Sequence, residues 1–477
     1  MKFSSSPRLL ASSLLFASLG SSIVVDLNSD SSIKSAAKTV AENLRALYPS
    51  NETWFVPGEF GLIQTADGKN DKGYYWWEAG AAMGAWIEYW HFTGDSQFND
   101  IVTEAMLHQV GENSNYEPQA HTLSLGNDDQ AFWGIAAMTA AERAFPNPPQ
   151  DKPQWLALAQ AVFNRQASRW DTQHCNGGLR WQVVSTNKGY DYKNAISNGL
   201  FFHMGARLAR YTGNQSYADW AEKAYDWSKE IGLVSPEYKV FDGAHIPECN
   251  ISSVYQWTYN AGVYLSGAAY MYNFTNGTNQ KWKNEIQKLM DATSEPFFSK
   301  EPANIMQEST CEFGYTGNDP TCNTDQRSFK AYFARFLGYT YQMAPFTADF
   351  IIPRLKATAT AAAASCNGGS SGTICGLSWI KSTYDGAAYG ISKGGVGEHM
   401  AVLEVLQNNL VPKSKPPVTA NNGGTSVGNS AAGGDGADPN ELLQTDPSTT
   451  GDKAGAGILT AIVLGLMLSL TYWLVKS

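Results

Sequence analysis

The feature that most constrains this chain is a recurring unit: a helix of small and aromatic residues, a Thr-Gly-Asp type turn, then a more polar amphipathic helix. Three copies are plain. They pair 75–92 with 96–110 across Thr93-Gly94-Asp95, 197–211 with 216–231 across Thr212-Gly213-Asn214, and 257–274 with 279–293 across Thr275-Asn276-Gly277. Three more apolar helices are expected at 128–145, 325–342 and 385–410, with polar partners near 153–170 and 347–364 and an opening helix at 31–47. A helix that is apolar nearly all round must be surrounded by protein, whereas one with a single apolar stripe packs on one side and meets water on the other. The two kinds together predict an all-α (α/α)6 toroid, six inner helices inside six outer ones, as one domain over 21–411.

The connections sort in the same way. Inner-to-outer turns are short, while the outer-to-inner segments 48–74, 111–127, 171–196, 232–256, 294–324 and 365–384 are long. Long loops in compact domains are usually functional. All of them precede inner-helix starts, so they crowd one face of the toroid. Every cysteine lies in them. Two loops hold two cysteines each, which predicts Cys311–Cys322 and Cys366–Cys375 and leaves Cys175–Cys249 to join neighbouring loops. Zinc is the alternative for such a set, but these spacings match no usual zinc pattern.

Both ends of the chain read as addresses. Lys2 and Arg8 precede an apolar stretch over 9–19, and the small residues Ser18 and Gly20 suit cleavage after Gly20, the pattern of a secretory signal. At the other end, an uncharged apolar run over 457–475 follows a Gly, Ser, Thr and Asn-rich linker within 412–456, as expected of a GPI-attachment signal with its attachment residue near 448–451. The competing reading of that run is a single transmembrane helix, which Lys476 favours. Sequons at Asn51, Asn214, Asn250, Asn273 and Asn276 agree with an extracellular route. The expected location is the outer face of the plasma membrane, or the cell wall.

A net charge of −10 without a basic run argues against a nucleic-acid partner. The aromatic content of 12%, with 15 Trp, suits a neutral ring-shaped ligand such as a sugar. The sharpest candidate for chemistry is Gly126-Asn127-Asp128-Asp129-Gln130, at the start of the second inner helix on the long-loop face. Acids in a first turn also serve simply as caps and dipole partners. Their place at the mouth of a ring favours a catalytic role. Adjacent helical residues hold their side-chain stems roughly 5 Å apart, near the carboxyl separation of about 5–5.5 Å used by retaining glycosidases. Asp128, nearer the helix start, is expected to be the anion, and Asp129 the group that keeps its proton.

Together with Trp133, that string, Tyr75-Trp76-Trp77-Glu78-Ala79-Gly80, Asn194-Ala195-Ile196-Ser197-Asn198-Gly199, Trp257-Thr258-Tyr259-Asn260-Ala261-Gly262 and Phe329-Lys330 resemble glycoside hydrolase family 76, the endo-α-1,6-mannanases. With the anchor signal, the chain resembles the GPI-anchored fungal cell-wall branch of that family. The resemblance spans about 31–410 and implies an (α/α)6 toroid, retaining chemistry on α-1,6-linked mannose, Asp128 as nucleophile and Asp129 as acid/base. Trp76, Trp77, Trp133, Trp181, Trp257 and Tyr259 are candidate stacking platforms, and Asn198 and Asn260 candidate partners of sugar hydroxyls. No cofactor is expected, and the histidines form no metal-binding spacing.

Three functions compete. One is hydrolysis of α-1,6-mannan, or transfer of mannose from a GPI core glycan to a wall glucan. Another is a non-catalytic glycan-binding or structural wall protein with the same pocket, which would not need the Asp pair. The third keeps the toroid and cleaves another glycan, such as a β-glucan, with inversion.

Overall fold

Helix α2 (Trp76–Thr93) shows what its composition demands: every residue from Trp76 to Tyr89 is buried, on all sides of the helix. The same holds for most of α4 (Asn127–Glu142), α6 (Ala195–Thr212), α8 (Thr258–Phe274), α11 (Phe329–Met343) and α13 (Val396–Gln407). In the computed structural model, which describes residues 22–63, 73–313, 321–386 and 394–433 with 460, 463–469, 472 and 476, these six close a ring. Contacts run from α2 to α4, α6, α8, α11 and α13 and back to α2. Outside it lie α1 (Asp30–Arg45), α3 (Asn99–His108), α5 (Trp155–Ser168), α7 (Gln215–Glu230), α9 (Gln280–Phe297) and α12 (Ala348–Ala364). In α7 the buried residues Tyr217, Ala218, Ala221, Ala224, Tyr225 and Ser228 recur at three- and four-residue spacing, the single stripe of an outer helix. The expected toroid is the observed fold.

The turns that reverse the hairpins use glycine where backbone sterics require it. Gly94 and Gly213 close α2 and α6 in the left-handed region, with φ of 78° and 74°.

Two inner helices start later than composition predicts. Asp325 lies in a turn before α11, and Asp385 lies outside α13, accepting hydrogen bonds from Leu377 N (2.7 Å) and Ser378 N (2.9 Å). Asp325 thus faces the cavity from the turn before its helix, while Asp385 holds the backbone of the preceding loop. A single turn, α10 (Ser309–Glu312), precedes α11. The long loops also carry short strands that an all-helical reading omits. β1 (Tyr192–Asn194), β2 (Gly243–His245) and β3 (Asn250–Ser253) form an antiparallel sheet in the order β1-β2-β3, and β4 (Cys366–Gly368) pairs with β5 (Ile374–Cys375). Cysteines pair as expected, Cys175–Cys249, Cys311–Cys322 and Cys366–Cys375. The first bridge ties the loop before α6 to the loop before α8, the two that share the three-stranded sheet.

At the end away from the loops, the polar groups that reach the axis satisfy one another. Arg143 pairs with Glu88 (3.0 Å), Arg207 with Glu142 (2.7 Å) and Arg335 with Glu404 (2.6 Å), all deeply buried. Tyr270 OH donates to Glu142 Oε2 (2.9 Å), Arg207 to Thr139 Oγ1 (3.0 Å), and Tyr339 OH to Glu88. Every inner helix supplies at least one member.

The stretch after Val411, whose composition predicts a linker over 412–456, begins as a strap on this base. Val418 N donates to Glu142 O (2.8 Å) and Ala420 N to Tyr211 O (2.9 Å), satisfying carbonyls at the ends of α4 and α6. It then climbs α5, where Asn429 N meets Gln160 Oε1 (2.6 Å) and Asn164 Nδ2 reaches Ser430 O (2.9 Å). Small residues let this backbone lie flat against helix ends, so the composition of a linker also suits a strap. The signal at 1–20 and the attachment region at 448–451 lie outside the described residues. Among those described, no helix is long and apolar enough to cross a membrane.

Removing one partner of a buried ion pair leaves a charge without compensation. Arg207→Ala is therefore expected to cost about 3–5 kcal/mol, because it strands Glu142. Arg207→Lys should recover only part of the loss, lacking the fork that bonds Glu142 and Thr139 together; urea unfolding of the three proteins measures it.

Candidate active site

The start of α4 is fixed by a distant loop. Gly126 bridges to Gln182, Asn127 N donates to Trp181 O (2.8 Å), and Asn127 Nδ2 to Arg180 O (2.9 Å). This lays the loop before α6 over the mouth and places Trp181 there. Trp181 N in turn bonds Tyr192 O (2.6 Å), which leads into β1 and then α6. The first turn of α4 thus meets two stretches of the loop before α6, 53 and 66 residues further along the chain.

Within that turn, Asp129 Oδ2 accepts from Gly126 N (2.8 Å) and closes the helix start. Asp128 accepts at both oxygens, Oδ1 from Asp129 N (3.0 Å) and Oδ2 from Asn194 Nδ2 (3.1 Å). Glycine is needed at 126 for space: a Cβ there would stand 2.3 Å from Asp128 Oδ1 and 3.0 Å from Asp129 Oδ2. Burial, then the neighbouring Asp129, pushes the Asp128 carboxyl above its usual range, while the Asn194 amide pulls it down. Burial pushes Asp129 up to about 6 against the pull of the Gly126 N–H. Two carboxyls in one buried turn cannot both ionise freely, so the pair holds a proton more tightly than separate acids would. Hydrogen bonds from N–H groups favour the ionised form. Asp128 has such a donor on each oxygen and Asp129 on one, so the anion is better placed on Asp128.

The pair faces a cavity of about 320 Å³. Its walls are aromatic, with Trp77, Phe132, Trp181, Trp257, Tyr259 and Phe329, and Tyr259 stacks on Phe329 at 3.7 Å. Two further carboxyls line it. Asp325 accepts from Trp77 Nε1 (3.1 Å) and is pushed up to about 6 by burial; Asp242 accepts from Tyr192 OH (2.7 Å) and is also raised by burial. No lysine, arginine or histidine is among the lining residues. Carboxyls between aromatic faces, without a neutralising cation, suit a polyhydroxylated neutral ring. The rings stack on its apolar faces and the acids accept its hydroxyl hydrogens. Among the described residues no cluster of His, Cys, Asp and Glu is arranged to hold a metal ion.

Of the residues singled out from sequence, Asp128, Asp129, Trp77, Trp181, Trp257 and Tyr259 meet in this cavity. Four others do not line it. Trp133 is fully buried, donating to Trp76 O (3.3 Å) and stacked on Trp76; Trp76 itself donates to Gln109 Oε1 (2.8 Å). They form one packed column behind the wall. Asn198 is fully buried and clasps the loop before α6, accepting from Leu179 N (2.7 Å) and donating to Leu179 O (3.0 Å). Asn260 is fully buried behind Asp242. Sequence reasoning missed Asn194, Asp242 and Tyr192 as site residues; Asp325, expected at the start of an inner helix at the mouth, does line the cavity. Asn194 stands in the same matched string as Asn198, one helical turn earlier, so that string carried a signal read at the wrong position.

The sequons separate by geometry. Asn51, Asn214, Asn250 and Asn276 are exposed. Asn273 lies inside α8, half-buried, with Oδ1 accepting from Arg210 Nε (2.7 Å) and Nδ2 donating to Met343 O (3.2 Å).

The sequence profile described as Glycosyl hydrolase family 76 matches residues 32–421. Mannan endo-1,6-alpha-mannosidase DCW1 of Saccharomyces cerevisiae is 46% identical over 456 residues, 95% of each chain. The crystal structure of Dfg5 from Chaetomium thermophilum in complex with glucosamine superimposes with a TM-score of 0.79 at 43% identity, covering 86% of this chain and 97% of that one. A variant of an α-1,6-mannanase from Salegentibacter sp. HEL1_6, in complex with α-1,6-mannotriose, shares the fold: TM-score 0.60, 15% identity, 79% and 99% coverage.

Two outcomes are expected. In glycopeptide mapping of the protein expressed through a secretory pathway, Asn276 is expected to carry glycan and Asn273 not, because a glycan on Asn273 would take the nitrogen now held against Met343 O; an occupied Asn273 would contradict this geometry at the end of α8. The second concerns pH. The Asp129 carboxyl titrates higher in the folded than in the unfolded chain, so its contribution favours folding below the unfolded value and is lost as pH rises through about 6. Asp129→Asn, which does not titrate, should therefore gain on wild type by about 2–3 kcal/mol between about pH 4 and pH 7, followed by thermal unfolding across that range.

Proposed function

The chain belongs to glycosyl hydrolase family 76 and is a glycoside hydrolase, and from that premise we propose that it acts on α-1,6-linked mannose with retention, through Asp128 and Asp129. The observation that carries this reading is the buried pair itself: adjacent carboxyls with unequal donors, opening into an aromatic cavity. Asp128, as the anion, attacks the anomeric carbon. The bond to the leaving oxygen breaks as that oxygen takes the proton of Asp129. In the second half, Asp129, now a carboxylate, takes a proton from the incoming hydroxyl, whose oxygen attacks the same carbon and releases Asp128. Two inversions leave the anomer unchanged. Support for the sugar comes from the relatives, since the yeast protein is named for α-1,6-mannan and the bacterial mannanase variant is in complex with α-1,6-mannotriose.

The incoming hydroxyl decides between hydrolysis and transfer. Our reading is transfer: a GPI core glycan is the mannosyl donor, a wall glucan the acceptor, and a GPI anchor holds the enzyme at the outer face of the plasma membrane. Trp77, Trp181, Trp257 and Tyr259 hold sugar faces, and Asp242 and Asp325 accept hydroxyl hydrogens.

The purified protein, given a labelled α-1,6-mannoside or GPI core glycan with and without a glucan acceptor, is expected to form a mannosyl–glucan product in preference to free mannose, with the α anomer kept. Asp128→Asn and Asp129→Asn should each lower the rate by roughly 10²–10⁴-fold or more. They should also differ. An activated leaving group spares Asp129→Asn and lets an adduct collect on Asp128, located by peptide mass. Wild-type rates in both variants would take the chemistry away from this pair, and no turnover by the wild type would leave a pocket that only binds glycan.

A further inference from the structure

We propose that Asn194 is the positioning residue that makes Asp128, rather than Asp129, the nucleophile of the pair, by holding one Asp128 oxygen with an amide N–H. This rests on the catalytic reading of the pair and adds to it a residue that divides the roles.

Asn194 is the last residue of β1 and the N-cap of α6, so its backbone is fixed from both sides. It pairs with Gly243 of β2, and its side chain caps the helix that follows. The cap settles which end of the amide faces Asp128. Oδ1 accepts from Ser197 N (3.2 Å), which leaves Nδ2 to donate to Asp128 Oδ2 at 3.1 Å. Asn194 is 7% exposed, so water does not compete freely for either bond. An amide nitrogen has hydrogens to give and no lone pair to accept with. It therefore bonds an ionised carboxylate oxygen well, and a protonated oxygen presents it with a hydrogen it cannot accept. Asp129 receives its N–H from Gly126 through the helix cap, on one oxygen only.

No other side chain among the described residues hydrogen-bonds Asp128. Asp325 precedes α11 and is bonded to Trp77; Asp242 precedes β2 and is bonded to Tyr192; Tyr259 faces the pair from α8; His121 comes from the loop before α4. Asp325 disfavours a charge on Asp129. His121 acts on Asp129 and would favour the anion there. Asn194 is the neighbour whose bond reaches Asp128 itself.

The test uses variants that keep the cap. Asp and Ser at 194 still offer an oxygen to Ser197 N, whereas each removes the N–H that faces Asp128. Hydrolysis of an α-1,6-linked mannan oligosaccharide is followed across pH for wild type, Asn194→Ser and Asn194→Asp. Losing the donor raises the pH needed to ionise Asp128, so the acid limb of kcat should move up by about one pH unit in Asn194→Ser and further in Asn194→Asp, where a second carboxyl faces the first. On that limb kcat falls roughly tenfold per unit of displacement, with KM within about twofold and thermal unfolding close to wild type. Unmoved acid limbs in both variants, alongside an inactive Asp128→Asn, would overturn the role of Asn194 and leave the catalytic pair standing. An active Asp128→Asn would instead overturn the pair. Failure of both cap-preserving variants to fold would make Asn194 a residue of the fold and overturn the proposal as well.

Discussion

Six apolar helices can surround one axis only if the polar groups that reach that axis satisfy one another. At the base they do: Glu88 with Arg143, Glu142 with Arg207 and Glu404 with Arg335, joined by Thr139, Tyr270 and Tyr339. Each inner helix has a member, so sliding one helix along the axis would break a bond to its neighbour. Buried pairs of this kind add little net stability over well-packed apolar residues, and registry is the role they are best suited to. The mouth is built oppositely. Asp128, Asp129, Asp242 and Asp325 line it with no lysine or arginine among them. Charge is balanced at one end of the ring, while at the other burial, with no cation lining the cavity to offset it, keeps the mouth carboxyls protonated to a higher pH than usual.

The hairpin repeat made the ring legible because burial on all sides is a property of composition, and the ring follows from it. Composition says less about direction. Trp76 and Trp77 are adjacent and look alike in sequence, but one joins a packed column with Trp133 while the other lines the cavity. A helix with no polar face offers no periodicity to choose between them. Asn198 and Asn194 were confused for a related reason. Both lie at one helix start, a turn apart, and only the path of the preceding loop decides which meets Asp128 and which clasps Leu179. That path depends on β1, β2 and the Cys175–Cys249 bridge, pairings between segments about fifty to seventy residues apart that no local pattern announces.

The strap across the base was hidden differently. Residues 414–432 have the composition of a solvated linker, and local propensity gives no reason to order them. What orders them is demand from the other side, where the ends of α4 and α6 present carbonyls that the strap's N–H groups satisfy. A loop face specialised for the site and a base sealed by a strap give the toroid two unlike ends.

Helix capping and chemistry compete as explanations of Gly126-Asn127-Asp128-Asp129 only while the string is viewed alone. Asp129 does cap: its Oδ2 takes the Gly126 N–H, and an asparagine oxygen would serve that bond as well. Asp128 contributes little to the cap beyond the N–H next to it. Its other oxygen is held by Asn194, a side chain 66 residues away, itself fixed by a strand and a helix start. A carboxylate needed only for its helix does not require a partner brought from another hairpin. Gly126 carries the same implication, because the space where its Cβ would stand is taken by Asp128 and Asp129. The local rule accounts for one acid of the two, and the tertiary structure is spent on orienting the other.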